Sequence, residues 1–285
     1  TLTRIHQKSA DLRHVVQTAL ERNRKKYDLQ SKQLKGTEKR DKYKVYGELI
    51  NTYGYNLEPG SKELTALNYY TNEEITIPLD PTQTPGENAQ RYFAKYNKQK
   101  RTFEALTELI QETADDIQYL ESISNALDIA LSEADLAQIK EELMQSGYIR
   151  RKHTKKKVKL TSKPMHYISS DGYDMYVGKN NLQNEELTFS FANGNDWWFH
   201  AKGAPGSHVI VKSGGDELPD RTFEEAGRLA AYYSKNRGAD KVEIDYIQKK
   251  HVKKPNGAKP GFVVYYTNYS LVIDSDISNI KNVQD

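Results

Sequence analysis

Between Phe103 and Leu131, apolar or small residues return at alternating intervals of three and four: Phe103, Leu106, Ile110, Thr113, Ile117, Leu120, Ser124, Leu127 and Leu131. That spacing holds one seam on one face of a helix and requires a second helix to cover it. Thr113 and Ser124 weaken the seam without breaking it. The helix is expected from near Glu87 to about Leu131. A partner lies earlier in the chain. Residues 4–52 contain no proline and are rich in Arg, Lys, Glu, Gln and Leu, all good helix formers. A thin apolar stripe runs through Ile5, Leu12, Val16, Ala19, Leu20, Tyr27 and Leu34, so a single long helix is expected there. The charges of the two stretches are opposite. From Arg4 to Lys44 there are thirteen Lys/Arg against five Asp/Glu; from Glu104 to Glu142 there are eleven Asp/Glu against one Lys. Opposite signs favour pairing.

The segment between them breaks at Tyr53-Gly54-Tyr55 and Glu58-Pro59-Gly60. Leu64–Tyr70 and Ile75–Leu79 then read as a β-hairpin. The economical arrangement folds the helices back on each other as an antiparallel coiled coil with the hairpin at its far end. A parallel dimeric coiled coil is the alternative; the intervening hairpin and the opposite charges argue against it. A helix of ~40 residues is roughly 60 Å long, so this half is expected to be an arm. Composition agrees. Counting glycine in place of tyrosine, apolar residues make up about 35%, against the usual ~45–50%, too few for two globular cores. Aromatic residues at 10% argue against disorder. Ser132, with Asp135 three residues on, predicts the N-cap of a short helix ending near Ser146-Gly147.

After Arg150 the texture changes. Strands are expected at residues 166–169, 173–177, 187–191, 197–200, 208–212, 242–247, 262–266 and 271–273. Thr222-Phe-Glu-Glu225 reads as a capping box opening a helix. The expected fold class is α+β. Residues 1–148 form an antiparallel coiled coil with a hairpin module at about 55–86 and a short terminal helix. Residues 149–164 are a basic linker, and residues 165–285 a compact domain of mixed sheet plus helix. The chain has no cysteine, which excludes disulfides, thiol catalysis and cysteine zinc sites. No apolar run approaches a membrane span, so membrane insertion is not expected, and the first residues show no signal-peptide-like stretch. Starting on Thr rather than Met, the sequence reads as part of a longer protein.

Enzymatic templates fail on spacing. Gly178-Lys179 follows Gly172 by one residue too many for a phosphate loop, and Asn180 stands where a Mg²⁺-binding hydroxyl belongs. Gly206-Ser207-His208 lacks the nucleophile-elbow pattern. His200 and His208 have no carboxylate ladder around them, so neither a metal nor any other cofactor is expected, and no enzymatic activity. What remains is polar and turn-rich: Lys179, Asn180, Asn181, His200, Lys202, Ser207 and His208. Amides and imidazoles can read hydrogen-bonding edges, and the lysines can meet phosphates. Trp198 is the ring placed to stack on a base, because Trp197 and Phe199 share the other strand face and read as core. An Asn-Asn turn is the plainer reading of residues 180–181. Two basic clusters flank this set. Arg150, Arg151, Lys152, Lys155, Lys156 and Lys157 belong to a run that is acid-free as far as Lys163; Lys249, Lys250, Lys253, Lys254 and Lys259 form the second. Each is either a phosphate-binding surface or a solvated one.

Two long motifs carry a family resemblance: Gly172-Tyr-Asp-Met-Tyr-Val-Gly-Lys-Asn-Asn-Leu-Gln-Asn-Glu-Glu-Leu-Thr188 and Asp196-Trp-Trp-Phe-His-Ala-Lys-Gly-Ala-Pro-Gly-Ser-His-Val-Ile210. They resemble the C-terminal NFACT-R domain of bacterial NFACT proteins. Lys253–Phe262 is similar to that family's basic loop. Ile77-Pro-Leu-Asp-Pro81, Asn88–Phe93 and Tyr96-Asn-Lys98 resemble its middle module and second coiled-coil helix. The resemblance spans essentially the whole chain as the C-terminal half of such a protein. It implies a factor of ribosome-associated quality control. Such a factor binds an obstructed large ribosomal subunit, reaches the stalk base with the coiled-coil arm, and recruits tRNA, so that the ribosome adds a C-terminal tail to the stalled chain. A cytoplasmic, ribosome-associated location goes with that. Streptococcal members are also described as surface adhesins that bind host fibronectin or fibrinogen. That second reading needs export by a non-classical route.

Overall fold

The computed structural model describes residues 2–151 and 161–283. The chain divides into two compact units: residues 23–115 form one, and residues 1–22 together with 116–285 form the other.

In the unit of residues 23–115, two helical segments pair antiparallel. Helix α1 (Leu2–Lys35) ends in a turn at residues 36–39, and α2 (Arg40–Tyr53) follows. The expected single helix is therefore interrupted. Gly36 has low helix propensity, and the Thr37 hydroxyl donates to the Leu34 carbonyl at 2.6 Å, capping the end of α1. The hairpin pairs β1 (Glu63–Asn68) with β2 (Glu73–Pro78), Leu64 opposite Ile77. Alternate residues Leu64 and Ala66 turn inward onto Leu49, Ile50, Ile77, Ala89 and Tyr92. The long helix α3 (Pro85–Ile129) returns along α2 and α1. Gly47 meets Phe93, the Arg40 guanidinium sits 4.1 Å over Phe103, and the Thr113 hydroxyl is 2.8 Å from Gln30 Oε1. Partner numbers fall on one helix as they rise on the other, which is the antiparallel register expected from the seam. Leu106, Thr113, Leu120, Ser124 and Leu127 are buried along it. Leu131 lies beyond the helix end and is exposed.

In the other unit, Leu12, Val16, Ala19 and Leu20 of α1 pack against Tyr119, Leu120, Ile123, Ala126 and Leu127 of α3 and against Leu136, Ile139 and Leu143 of α4 (Glu133–Gln145). Helix α4 carries the expected capping box: Ser132 Oγ accepts from the Asp135 amide, and the Asp135 carboxylate accepts from the Ser132 amide. The same unit holds a seven-stranded sheet made of β3 (Met165–Ile168), β4 (Asp174–Val177), β5 (Trp197–Ala201), β6 (Val209–Val211), β7 (Val242–Gln248), β8 (Tyr269–Ile273) and β9 (Lys281–Val283). The order is β8-β7-β5-β6-β4-β3-β9, and every ladder is antiparallel. Both sheet faces are apolar. Phe199, Ala201, Val209, Val211 and Ile244 meet helix α6 (Asp220–Tyr232) through Ala226, Leu229 and Ala230. Trp198, Ile210 and Ile247 point the other way, against Leu187, Phe189, Val252, Val263 and Tyr265.

Three local expectations are corrected. Residues 187–191 are not a strand: α5 (Asn181–Glu186) runs on into a π-helical turn over Leu187–Phe191. The alternation of Leu187, Phe189 and Phe191 imitates a strand, but the Asn180 N-cap commits the segment to helix. Residues 262–266 contribute only a bridge between Lys253 and Val264. Thr222 lies inside α6, whose N-cap is Pro219; its hydroxyl donates instead towards Ser169 and Asp171. Among the described residues no helix is long and apolar enough to cross a membrane.

Candidate nucleic-acid interface

The turn-rich motif begins where β4 ends. Asn180 is the N-cap of α5, its Oδ1 accepting from the Gln183 amide at 2.9 Å. Glycine is required at 178, because a Cβ there would fall 1.9 Å from Asn184 Oδ1. That same Oδ1 accepts from the His208 amide at 3.1 Å, and the Gly178 amide donates to the His208 carbonyl. The two quoted motifs thus lock to each other.

They also lock onto the helices of the same unit. Asn181 Nδ2 donates to Ser122 Oγ at 2.8 Å and to Glu142 Oε2 at 3.0 Å. Asn180 Nδ2 and Gln183 Nε2 both donate to Gln138 Oε1 at 2.6 Å. Lys179 Nζ pairs with Asp135 at 3.1 Å. Burial alone would raise the Asp135 carboxyl, but the Leu131 amide, the Ser162 hydroxyl and Lys179 together hold it below its usual range. Glu142 has no cation among these partners. Burial pushes its carboxyl up, against the Tyr119 hydroxyl (2.6 Å) and Asn181, which favour the ionised form. Lys259 Nζ pairs with Asp116 and lies 4.7 Å from the Tyr119 ring centroid. Lys254 Nζ pairs with Glu185 at 3.0 Å and donates to the Phe262 carbonyl.

The imidazoles are interior too. His208 is 2% exposed, between Thr188 Oγ1 (2.8 Å from Nδ1) and the Gly261 carbonyl (3.1 Å from Nε2). A carbonyl only accepts, so Nε2 carries the proton and Nδ1 accepts from Thr188. Burial, and then the nearby His200, push His208 well below its ordinary value. Burial lowers half-buried His200 as well. Trp198 is fully buried, with His200 parallel to it at 5.6 Å and His208 edge-on at 5.2 Å.

The expected open face of amides and imidazoles is therefore corrected. Asn180, Asn181, Ser207, His208 and Trp198 are buried, and Trp198 is less accessible than Trp197. For Asn180, Asn181 and His208 the physical reason is satisfaction: these side chains cap α5 and fasten α3, α4 and the 254–261 loop to the sheet, an internal duty that burial makes obligatory; Trp198 is buried as a core ring instead, its Nε1 without a hydrogen-bond partner. Lys179, Lys254 and Lys259 are likewise anchored to carboxylates. Lys202 stays exposed, its Nζ 3.1 Å from exposed Glu243, a pair screened by solvent.

What faces solvent is a shorter basic strip. Lys249–His251 forms one 3₁₀ turn, pinned by its backbone: the Lys249 amide donates to the Asp196 carbonyl at 2.8 Å and the Lys250 amide to the Gly194 carbonyl at 3.1 Å. Lys250, His251 and Lys253 are exposed and Lys249 is half-buried. Among the described residues none of these three lysines pairs with a carboxylate. Arg150 is exposed, and exposed Arg151 pairs with Glu141 at 2.6 Å. Lys152, Lys155, Lys156 and Lys157 lie outside the described residues. Among the described residues no group of His, Asp and Glu could hold a metal ion.

Residues 1–162 match the family profile described as NFACT N-terminal and middle domains, and residues 163–266 match that of the NFACT protein RNA binding domain. The chain belongs to the NFACT family. The Rqc2 homolog RqcH of Streptococcus pneumoniae D39 is 41% identical over 282 residues, which cover 99% of this chain and 51% of that protein. The Rqc2 homolog RqcH of Bacillus subtilis is 39% identical over 284 residues, 97% of this chain and 49% of that one. The chain thus spans about half the length of the curated relatives it matches. The C-terminal part of the fibronectin/fibrinogen-binding protein of Streptococcus suis has a TM-score of 0.76 at 37% identity, covering 98% of this chain and 99% of that structure. Within this NFACT chain, the long motifs that carry the resemblance are the buried joint, and the exposed cations at 249–253 fall inside the RNA-binding match.

Proposed function

We propose that this chain is the RNA-gripping half of a ribosome-associated quality control factor. The observation that carries the reading is the backbone-pinned strip Lys249, Lys250 and Lys253, unneutralised by carboxylates, inside the segment matching an RNA-binding domain. The names of the RqcH relatives support the setting. In this reading the partners are an obstructed large ribosomal subunit and tRNA. The paired helices reach the stalk base, and the chain works in the cytoplasm on the ribosome. It makes no bonds itself; the ribosome adds the C-terminal tail while this half holds RNA by its phosphates. The exposed cations would release counterions on binding, giving steep salt dependence.

The test is a salt titration of tRNA and large-subunit binding for the wild type and for Lys249→Gln/Lys250→Gln/Lys253→Gln. The log–log salt slope is expected to fall by about 3, about 1 per cation. An unchanged slope and affinity would overturn the assignment of this strip. The name of the Streptococcus suis relative favours a second reading, fibronectin binding. Saturable binding of this chain to immobilised fibronectin at physiological salt would support it; none would remove it from this half.

A further inference from the structure

Three aromatic residues stand directly opposite one another on neighbouring strands: Phe199 of β5 faces Tyr246 of β7, and Tyr246 faces Tyr269 of β8. Their rings form one stack, with centroids 5.4 and 5.5 Å apart and planes 12° and 28° from parallel. The stack runs outward. Phe199 is fully buried, Tyr246 is half-buried and Tyr269 is 57% exposed. Among the described residues β8 is the edge of the sheet, so no further strand supplies the next member. Half-buried Trp197 walls the same end, 6.1 Å from Tyr269 and edge-on to Phe223 of α6 at 4.9 Å. Cross-strand aromatic pairs stabilise a sheet by themselves. The outward side of Tyr269 takes no part in that pairing.

The stack opens beside the acidic start of α6. Residues 216–224 contain Asp216, Glu217, Asp220 and Glu224, all exposed, against Arg221. Among the described residues none of these four carboxylates forms an ion pair. Asp220 lies close enough to Tyr246 to add, after burial and Tyr269, to the rise of its hydroxyl pKa. Among the described residues the hydroxyls of Tyr246 and Tyr269 have no hydrogen-bond partner. An open ring face, free phenol oxygens and a carboxylate together match one group: a guanidinium, which is planar, cationic and a donor at five N–H positions. A nucleobase would stack as well, but its phosphates would meet these carboxylates. A quaternary ammonium has no donor and would leave the oxygens unused.

We infer that the outer face of Tyr269, with Trp197 and Asp220, is a docking site for an arginine side chain of a basic partner peptide. The guanidinium continues the ring stack past the sheet edge and takes Asp220 as its counter-charge. Hexaarginine and hexalysine, titrated separately against the whole chain and read by tryptophan emission, test it. Of the two tryptophans Trp198 is fully buried, so a change in emission reports Trp197. Hexaarginine should bind more tightly than hexalysine of equal charge, because the guanidinium stacks and donates in a plane. Tyr269→Leu keeps an apolar side chain without a ring and should weaken hexaarginine by about 2- to 5-fold. Tyr269→Phe should retain most of the affinity, and Asp220→Asn should weaken both peptides. The triple variant at 249, 250 and 253 should bind hexaarginine no more weakly than wild type, so this site and the basic strip can fail separately. Should Tyr269→Leu lose structure by circular dichroism, Asp220→Asn carries the test. Equal affinity for the two peptides, or unchanged hexaarginine affinity in the folded Tyr269→Leu and Asp220→Asn variants, would overturn the inference. So would an emission change with oligouridylate that hexaarginine does not produce, which would mean a base-stacking surface.

Discussion

Asn181 shows how a residue with the look of a ligand-binding group becomes structural. Its amide nitrogen supplies Glu142, a carboxylate nine-tenths or more shielded, together with Ser122. Asn181→Ala leaves that carboxyl with one fewer donor and should cost about 1–3 kcal/mol in chemical denaturation. RNA affinity of the folded variant should be unchanged. His208 gives a pH signature. Its folded pKa is depressed, so below about pH 6.5 the unfolded chain takes up a proton that the folded chain refuses. Its contribution is fully present above that pH and is lost as pH falls, by up to about 1.4 kcal/mol per pH unit. Glu142 works in the opposite sense: its raised carboxyl costs stability at neutral pH, and that cost shrinks on acidification. The clean observable is therefore a difference. His208→Asn should flatten the stability slope between pH 6.5 and 5 relative to wild type; equal slopes would contradict a neutral buried imidazole.

At the scale of elements, the helix pairing depends on one close approach. A Cβ at Gly47 would lie 2.7–2.9 Å from the Phe93 ring. Gly47→Ala should cost about 1–3 kcal/mol by overpacking, despite alanine's better helix propensity, and a raised melting temperature would refute the tight crossing. Much at this scale was legible in the sequence. The seam from Phe103 to Leu127, the Ser132 capping box, and the hairpin all follow local rules of period, cap and turn. Thr113 and Ser124 looked like flaws in the seam; Thr113 meets Gln30, and Ser124 accepts from Lys235 at 2.9 Å. What escaped was non-local. Residues 187–191 alternate like a strand, and only the α5 cap upstream makes them helical. The amide motif has the composition of a binding loop, and only its contacts with Gln138, Glu142 and Ser122 show that it faces inward.

For the molecule as a whole, the division of labour is between a polar interior that fastens helices to sheet and an exterior that presents unneutralised cations. The net charge of +3 hides this, because the acidic stretch from Glu104 to Glu142 offsets the basic ones. Lysine acetylation footprinting read by mass spectrometry, with and without saturating large ribosomal subunit, measures it directly. Lys249, Lys250 and Lys253 should react in the isolated chain and be protected on binding, while Lys179, Lys254 and Lys259, tied to Asp135, Glu185 and Asp116, should react slowly in both states. Unchanged reactivity of Lys250 and Lys253 in the bound state, or protection confined to residues around Asn181 and His208, would contradict the account.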